Sequence, residues 1–118
     1  MRENKNRSET RLEEKVTIFV EVCSDSTNKS SPSNIIICSS MDISANGIQV
    51  QMDEKVPIGT VLRLLAEVPY KDQALHLIGE VKWIVEENHQ FNIGFELYNA
   101  ENTDIIGWKS LIANMLDN

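Results

Sequence analysis

The sequence contains few of the residues that would indicate a metal centre or a disulfide framework. Its 118 residues include 2 cysteines, 2 histidines, 3 prolines and 5 glycines, and aromatic residues make up 6%. Cys23 and Cys38 have no partners at zinc-ligand spacing, and His76 and His89 are isolated in the sequence. We therefore expect two reduced thiols and no bound metal.

Long apolar runs are also missing. A membrane-spanning helix needs ~20 consecutive apolar residues, whereas Ile35–Cys38 and Val61–Val68 are too short or are interrupted by charge. Met1 is followed by polar residues, with no hydrophobic stretch before Val16, unlike a secretory signal. These absences predict a soluble, cytoplasmic protein without membrane insertion.

Positive charge is the third scarcity. Eleven Lys and Arg residues against 18 Asp and Glu residues give a formal net charge of -7 and a pI near 4.7. Such a surface repels polyanions, which argues against general binding of DNA or RNA. Residues 1–15, however, carry five basic and four acidic side chains, or +1, so the remainder carries -8. A basic arm on an acidic body indicates a local anion site.

What the chain does have is period-two alternation of apolar residues from residue 15 to residue 98, the pattern of half-buried strands. The second strand is continuous and β-branched enough to predict thorough burial, and the fifth places Trp83 and Val85 on the same face as Leu75. A loop is predicted over Asp25–Ser33 and a hairpin at Glu87–Gln90. The predicted strands are Val16–Cys23, Asn34–Ser40, Ile48–Met52, Val61–Val68, Leu75–Glu86 and Phe91–Leu97.

After residue 102 the apolar spacing changes to three or four residues, at Ile105, Trp108 and Ile112. This predicts an amphipathic helix over about residues 103–117, capped by Asn102 or Thr103. Six antiparallel strands cannot leave both sheet edges and an apolar face exposed, so closure into a barrel with the helix across one opening is expected. The expected fold is mainly β, a six-stranded antiparallel barrel over residues 15–118, preceded by a flexible arm over residues 1–14.

Two short motifs stand in the arm and between the second and third strands. Arg7–Arg11 is an R-x-x-x-R, and Asp42–Gly47 is a D-x-S-x-x-G. In this order the pair resembles the signature of the PilZ family. Gly79–Trp83 and Asn92–Leu97 also resemble the paired strands that close PilZ barrels. The likeness extends over most of the chain, into the C-terminal helix.

The resemblance implies a PilZ-type barrel that acts as a bacterial receptor for cyclic di-GMP. It further implies control of motility, biofilm formation or surface attachment through a protein partner that the sequence does not identify. The ligand contacts that it implies are Arg7, Arg11, Asp42, Ser44 and Gly47.

The chemistry of these residue types agrees with that ligand. An arginine fork can donate two parallel hydrogen bonds to a phosphate or to guanine O6 and N7, and it stacks on purines. Asp42 can accept from guanine N–H groups, and Ser44 can donate or accept. Gly47 allows a positive φ in the turn and close approach of the ligand. One ligand or a stacked pair is compatible with this set.

The composition of the arm also suggests how a signal could arise. Residues 1–12 have few apolar side chains, so we expect the arm to be mobile without ligand and ordered with it, which would create a surface that a partner can read. Two alternatives stay open: Arg7 and Arg11 are ordinary solvated charges, or the barrel is a ligand-independent protein adaptor. The chain has no catalytic triad motif or metal cluster, so it is not expected to be an enzyme.

Overall fold

A computed structural model describes residues 15–23, 33–68 and 72–116. The arm predicted over residues 1–14 and residues 25–32 of the predicted loop lie outside the described residues. The described elements are β1 (Thr17–Cys23), β2 (Ser33–Ile43), β3 (Gly47–Met52), β4 (Val61–Val68), β5 (Gln73–Glu87), β6 (Gln90–Leu97) and α1 (Ile105–Leu116).

The strands close into an antiparallel barrel in the order β1-β2-β3-β6-β5-β4, and β4 pairs back onto β1. Closure leaves neither end strand with an unpaired edge, because every strand has a neighbour on both sides. The predicted fold class, a six-stranded barrel with one C-terminal helix, is confirmed.

The core fills the inside of the barrel with alternate residues of each strand. In β4, which has the predicted bounds, Leu62, Leu64 and Ala66 are buried. The helix adds Trp108 and Ile112 to the same core. Burying each Leu or Ile side chain stabilises the fold by ~1.5–3 kcal/mol, so alternation alone accounts for a large share of the driving force.

Strand β2 differs from the prediction of thorough burial. Ile35 and Ile37 are 62% and 65% exposed, whereas Cys38 is buried. A strand in a closed barrel has one inner and one outer face, so the continuous apolar run of β2 leaves every second side chain outside. The prediction of thorough burial was wrong because a continuous apolar run is also the pattern of a strand that is buried on both faces.

Strand β5 differs from the prediction at its second half. The β5–β6 register pairs Val81 with Phe95 but Trp83 with Gly94, so Lys82 is an extra residue in β5. Beyond this bulge the inward and outward positions exchange. Trp83 and Val85 are therefore 39% and 53% exposed, and the prediction that they share the buried face of Leu75 was wrong.

The predicted β5–β6 hairpin is confirmed. Its two connecting residues, Asn88 and His89, both have positive φ values, 53° and 68°. Two successive positive φ values are typical of a type I′ turn, whose twist matches that of the flanking strands.

The helix begins at Ile105. Its N-cap is Asp104 rather than the predicted Asn102 or Thr103. The Trp108 backbone N–H donates to the Asp104 carbonyl, which makes Asp104 the N-cap. Asp104 also joins the helix to β5, because its Oδ2 accepts from the His76 N–H at 2.8 Å and its own N–H donates to the His76 carbonyl. In the described part of the chain, no helix has the length and apolarity required to cross a membrane.

Two buried polar groups fix the start of β1 against β2. Ser40, fully buried, accepts from the Val16 N–H through its hydroxyl at 2.8 Å, and its own N–H donates to the Val16 carbonyl at 2.9 Å. Nearby, the Cys38 thiol donates to the Ile18 carbonyl, and burial raises the pKa of Cys38 to about 11. Ser40 therefore determines where the chain enters the barrel.

We expect Ser40→Ala to lower the free energy of unfolding by ~1–3 kcal/mol, because the buried Val16 N–H loses its acceptor. Ser39→Ala is the matched control, since Ser39 is the exposed neighbour on the same strand. The measurement is chemical denaturation followed by circular dichroism. Equal stabilities of the two variants would show that the Val16–Ser40 bond contributes little.

Candidate functional site

The D-x-S-x-x-G segment connects β2 to β3 through a tight turn. Asp42 belongs to β2 and Gly47 begins β3. The Ser44 N–H and hydroxyl both donate to the Gly47 carbonyl, at 2.9 Å and 3.3 Å. The Asn46 carbonyl accepts from the Leu97 N–H at 2.9 Å, which joins the turn to the end of β6. The turn is thus held from inside and from the neighbouring strand.

The helix fixes the same turn from the core side. The Trp108 indole Nε1 donates to the Ser44 carbonyl at 2.9 Å, and both residues are fully buried. A buried carbonyl without a donor is costly, so this bond couples the position of α1 to the shape of the turn. Trp108 is one of the residues whose three-to-four spacing predicts the helix, and this bond anchors the helix on the turn.

A bulge in β2 turns Asp42 outward. Ser40 pairs with Val50 and Asp42 with Gln49, so Met41 is an extra residue in β2. Without it, Asp42 would follow Cys38 and Ser40 into the barrel. With it, Asp42 is half-buried beside Gln49 on the outer face, and the next residue, Ile43, is fully buried.

The bulge in β5 brings a residue that the sequence analysis missed to the same outer face. Asp42 pairs with Gln49, Gln49 with Gly94, and Gly94 with Trp83. These four residues form a row across β2, β3, β6 and β5, which we call the outer row. A side chain at Gly94 would overlap the Trp83 indole, so the indole lies directly over the glycine. A glycine inside an apolar strand was the sequence signal for this close approach.

The charges beside the outer row are mainly acidic. Lys82 is the one Lys or Arg in the sequences of β2, β3, β5 and β6, and its Nζ lies 3.7 Å from Glu80 and 3.4 Å from Glu96. The Tyr98 hydroxyl donates to Glu80 at 2.8 Å, and this hydrogen bond raises the pKa of Tyr98 above its ordinary value. Lys82 is thus shared between two carboxylates, and Tyr98 donates to one of them.

The structure brings together three of the five predicted site residues. Asp42 is on the outer face, whereas the hydroxyl of Ser44 points into the turn. Gly47 is the first residue of β3; the positive-φ glycine of the described chain is Gly59, with φ 93°, so the expectation of a positive φ at Gly47 was wrong. Arg7 and Arg11 lie outside the described residues.

The described residues contain no group of three or more His, Cys, Asp or Glu side chains that could hold a metal ion. The chemistry that the outer row offers is a carboxylate, an amide and an indole face. These groups can accept and donate hydrogen bonds and stack on a flat ring.

Solved structures similar to this chain share its barrel. The Bacillus subtilis inhibitor of motility (MotI/DgrA) is 18% identical, with a TM-score of 0.71 over 98% of this chain and 54% of that chain. Escherichia coli YcgR in complex with c-di-GMP is 12% identical, with a TM-score of 0.71 over 95% of this chain and 46% of that chain. The chain thus spans about half the length of either protein.

The PilZ domain of YcgR with c-di-GMP matches over 92% of this chain and 90% of that chain, at 12% identity and a TM-score of 0.66. At these identities the likeness shows the fold. No curated protein sequence matches the chain. The model of the PilZ domain matches residues 5–116, nearly the whole sequence, and the chain therefore belongs to the PilZ family.

Proposed function

We propose that this chain is a receptor for cyclic di-GMP, which binds between the R-x-x-x-R of residues 7–11 and the outer row. The observation that carries the proposal is the outer row itself, where two bulges direct Asp42 and Trp83 to one face. Membership of the PilZ family supports it, as do the similar structures of YcgR and of its PilZ domain with c-di-GMP.

Charge explains why the arginines are needed. The strands of the outer row carry one Lys or Arg residue, Lys82, whose Nζ already lies 3.7 Å from Glu80 and 3.4 Å from Glu96. A ligand with two phosphates would be repelled by this face unless cations come from elsewhere. Arg7 and Arg11 are the candidates, and the family match begins at residue 5 and so includes both.

The path of the backbone makes this delivery feasible. Val16 forms two hydrogen bonds with Ser40, and Ser40 is two residues from Asp42 on β2. Because β1 and β2 are antiparallel, the start of β1 lies at the Asp42 end of β2. Arg11 is five residues before Val16 in the sequence, and five extended residues span up to ~17 Å. Two residues of a strand cover ~7 Å, so an extended segment of this length could reach the Asp42 end of the outer row.

Each group then has a defined role in the proposed complex. The Asp42 carboxylate accepts from guanine N1–H and N2–H, and the Trp83 indole offers a face for stacking a base. Arg7 and Arg11 bind phosphate or guanine O6 and N7 through their planar forks. We assign Ser44 and Gly47 to the shape of the turn against which the ligand lies, since their mutual hydrogen bonds hold it.

The proposed output is the ordering of residues 1–14 on the barrel, which would present a combined surface of arm and ligand to a protein partner. We place this receptor in the cytoplasm, in control of motility, biofilm formation or surface attachment. It binds the dinucleotide without cleaving it, because the outer row offers no nucleophile activated by a neighbouring base.

Isothermal titration calorimetry with cyclic di-GMP tests the binding site. We expect saturable binding by the full chain, and a dissociation constant raised ~10-fold or more by Arg11→Ala or Asp42→Asn, each of which removes charge-assisted hydrogen bonds. Arg11→Lys should also bind poorly, because lysine keeps the charge but lacks the fork. The fitted stoichiometry distinguishes one ligand from a stacked pair.

Glu54→Gln is the matched control for Asp42→Asn, since it removes one exposed carboxylate outside the outer row. Its affinity should equal that of the unchanged chain, and all variants should melt at similar temperatures. No heat at tens of micromolar ligand would contradict the receptor proposal and favour the ligand-independent adaptor.

Tryptophan fluorescence tests the stacking role of Trp83. Cyclic di-GMP should quench the emission of Trp83, which is 39% exposed, whereas Trp108 is fully buried and should respond little. Trp83→Ala should abolish most of the change and weaken affinity ~5-fold or more, the range of base stacking on aromatic side chains. Val85→Ala, which shortens an exposed side chain two residues away on β5, is the control. Undiminished quenching in Trp83→Ala would refute the assignment.

Limited trypsin digestion tests the arm. In the free protein we expect cleavage after Arg7 and Arg11, and saturating cyclic di-GMP should slow both cleavages ~10-fold or more, as expected for a segment that orders on binding. Cleavage after the exposed Lys55 provides the internal reference. Unchanged cleavage rates in a sample whose ligand binding is verified by calorimetry would mean that the arm does not order on binding and that another part of the chain transmits the signal.

A further inference from the structure

A second outer surface lies on the opposite side of the barrel. In the closed strand order, the β1–β4 seam faces away from the β3–β6 seam, which carries the middle of the outer row. Here the exposed Ile35 and Ile37 stand beside the half-buried Phe19 and Leu65. An open groove of about 490 Å³ runs along this surface. Its lining includes Phe19, Glu21, Ile35, Arg63, Leu65 and Ile78.

The order of residues across this groove is unusual. Ile35 pairs with Glu21, Glu21 with Arg63, and Arg63 with Ile78, so one row across β2, β1, β4 and β5 is apolar, acidic, basic, apolar. The adjacent row places Phe19 and Leu65 side by side. Glu21 and Arg63 thus form the centre of an apolar surface, with no ion pair between them within 4.0 Å in the described structure.

We propose that this groove binds the same groove of a second copy of the chain, in a two-fold symmetric dimer. A two-fold axis between Glu21 and Arg63 would turn the row end for end. Glu21 would then meet Arg63 of the partner subunit, and Ile35 would meet Ile78 of the partner subunit. An isologous interface requires such self-complementarity, because each surface must match its own rotated image.

The order of the charges in this row favours a second copy as the occupant, because the row is complementary to its own rotated image. The chain has a net charge of -7, so two copies repel at long range and their contact must supply local attraction. Two identical Glu–Arg contacts flanked by apolar contacts supply it, and they also specify the register. The dimer would leave the outer row open on both subunits, so it is independent of the proposed ligand and does not rest on it.

Exchanging the two charges provides a test that a foreign partner cannot imitate. In an E21R dimer four cations would meet at the axis, and in an R63E dimer four carboxylates, so each variant should dimerise ~10-fold or more weakly than the unchanged chain. An equimolar mixture of E21R and R63E should dimerise again, because each cation would then meet a carboxylate across the axis. The E21R/R63E chain should also regain the dimer by itself.

Sedimentation velocity of the full chain from ~1 µM to ~1 mM measures the association over the range of weak to moderate dimers. E54R is the control for a two-unit charge change away from the groove and should sediment like the unchanged chain. Melting temperatures close to that of the unchanged chain verify folding of each variant. The mixture of E21R and R63E is an internal control, because it is compared only with its two separate components. An unchanged chain that stays monomeric, or a mixture no more dimeric than its components, would overturn the proposal and leave the groove to a different protein.

Discussion

Strict alternation is the constraint on which this structure depends. In a closed barrel every second side chain must enter the core, and a charged residue at an inner position would be expensive to bury. Asp42 and Trp83 both occupy positions that uninterrupted alternation would direct inward. One extra residue before each of them, Met41 in β2 and Lys82 in β5, exchanges inside and outside. The two bulges thereby create a polar and aromatic row on a barrel whose core stays apolar.

The outer row is also connected to the helix through the turn that follows Asp42. The Trp108 indole holds the Ser44 carbonyl, and the hydroxyl of Ser44 holds Gly47, so the backbone on either side of the turn is restrained. A shift of α1 would have to break a buried hydrogen bond or carry the turn with it. In the proposed complex, this connection gives a ligand on the outer face a mechanical route to the helix, in addition to the arm.

The success of the sequence-based predictions follows this same constraint. β4 was predicted with correct bounds because Val61–Val68 alternates without a bulge. The failures occur where alternation is broken or is hidden by composition. The alternation places Trp83 on the buried face of Leu75, because the sequence does not reveal the bulge at Lys82. The sequence predicts burial of Ile35 and Ile37 because a strand with apolar residues on both faces has the same pattern as a strand buried on both faces.

The candidate site divides in the same way. The resemblance of the motifs indicated Asp42, and the structure adds the reason for its direction. Trp83 could not be found from the motifs, although Gly94 was a signal of close approach at its position. Likewise, Asn102 and Thr103 have the right side chains for a helix cap, but Asp104 takes that position because its backbone and carboxylate also bind His76 of β5. Tertiary contacts of this kind are not encoded in local propensity.

The acidity of the outer face bears on ligand selectivity. Glu80, Glu96 and Asp42 repel a bare phosphate or a long polyanion, and Lys82 is already shared between two carboxylates. In the proposed complex, a ligand must therefore offer more than negative charge: it needs N–H donors for the carboxylate of Asp42 and a flat ring for Trp83. Guanine supplies both, while the two phosphates of the proposed ligand would require the arginines of the arm. Selectivity would then come from the repulsion of anions that lack a guanine base as much as from the attraction of the proposed ligand. In the proposed complex, the net charge of -7 would contribute to selectivity rather than oppose binding.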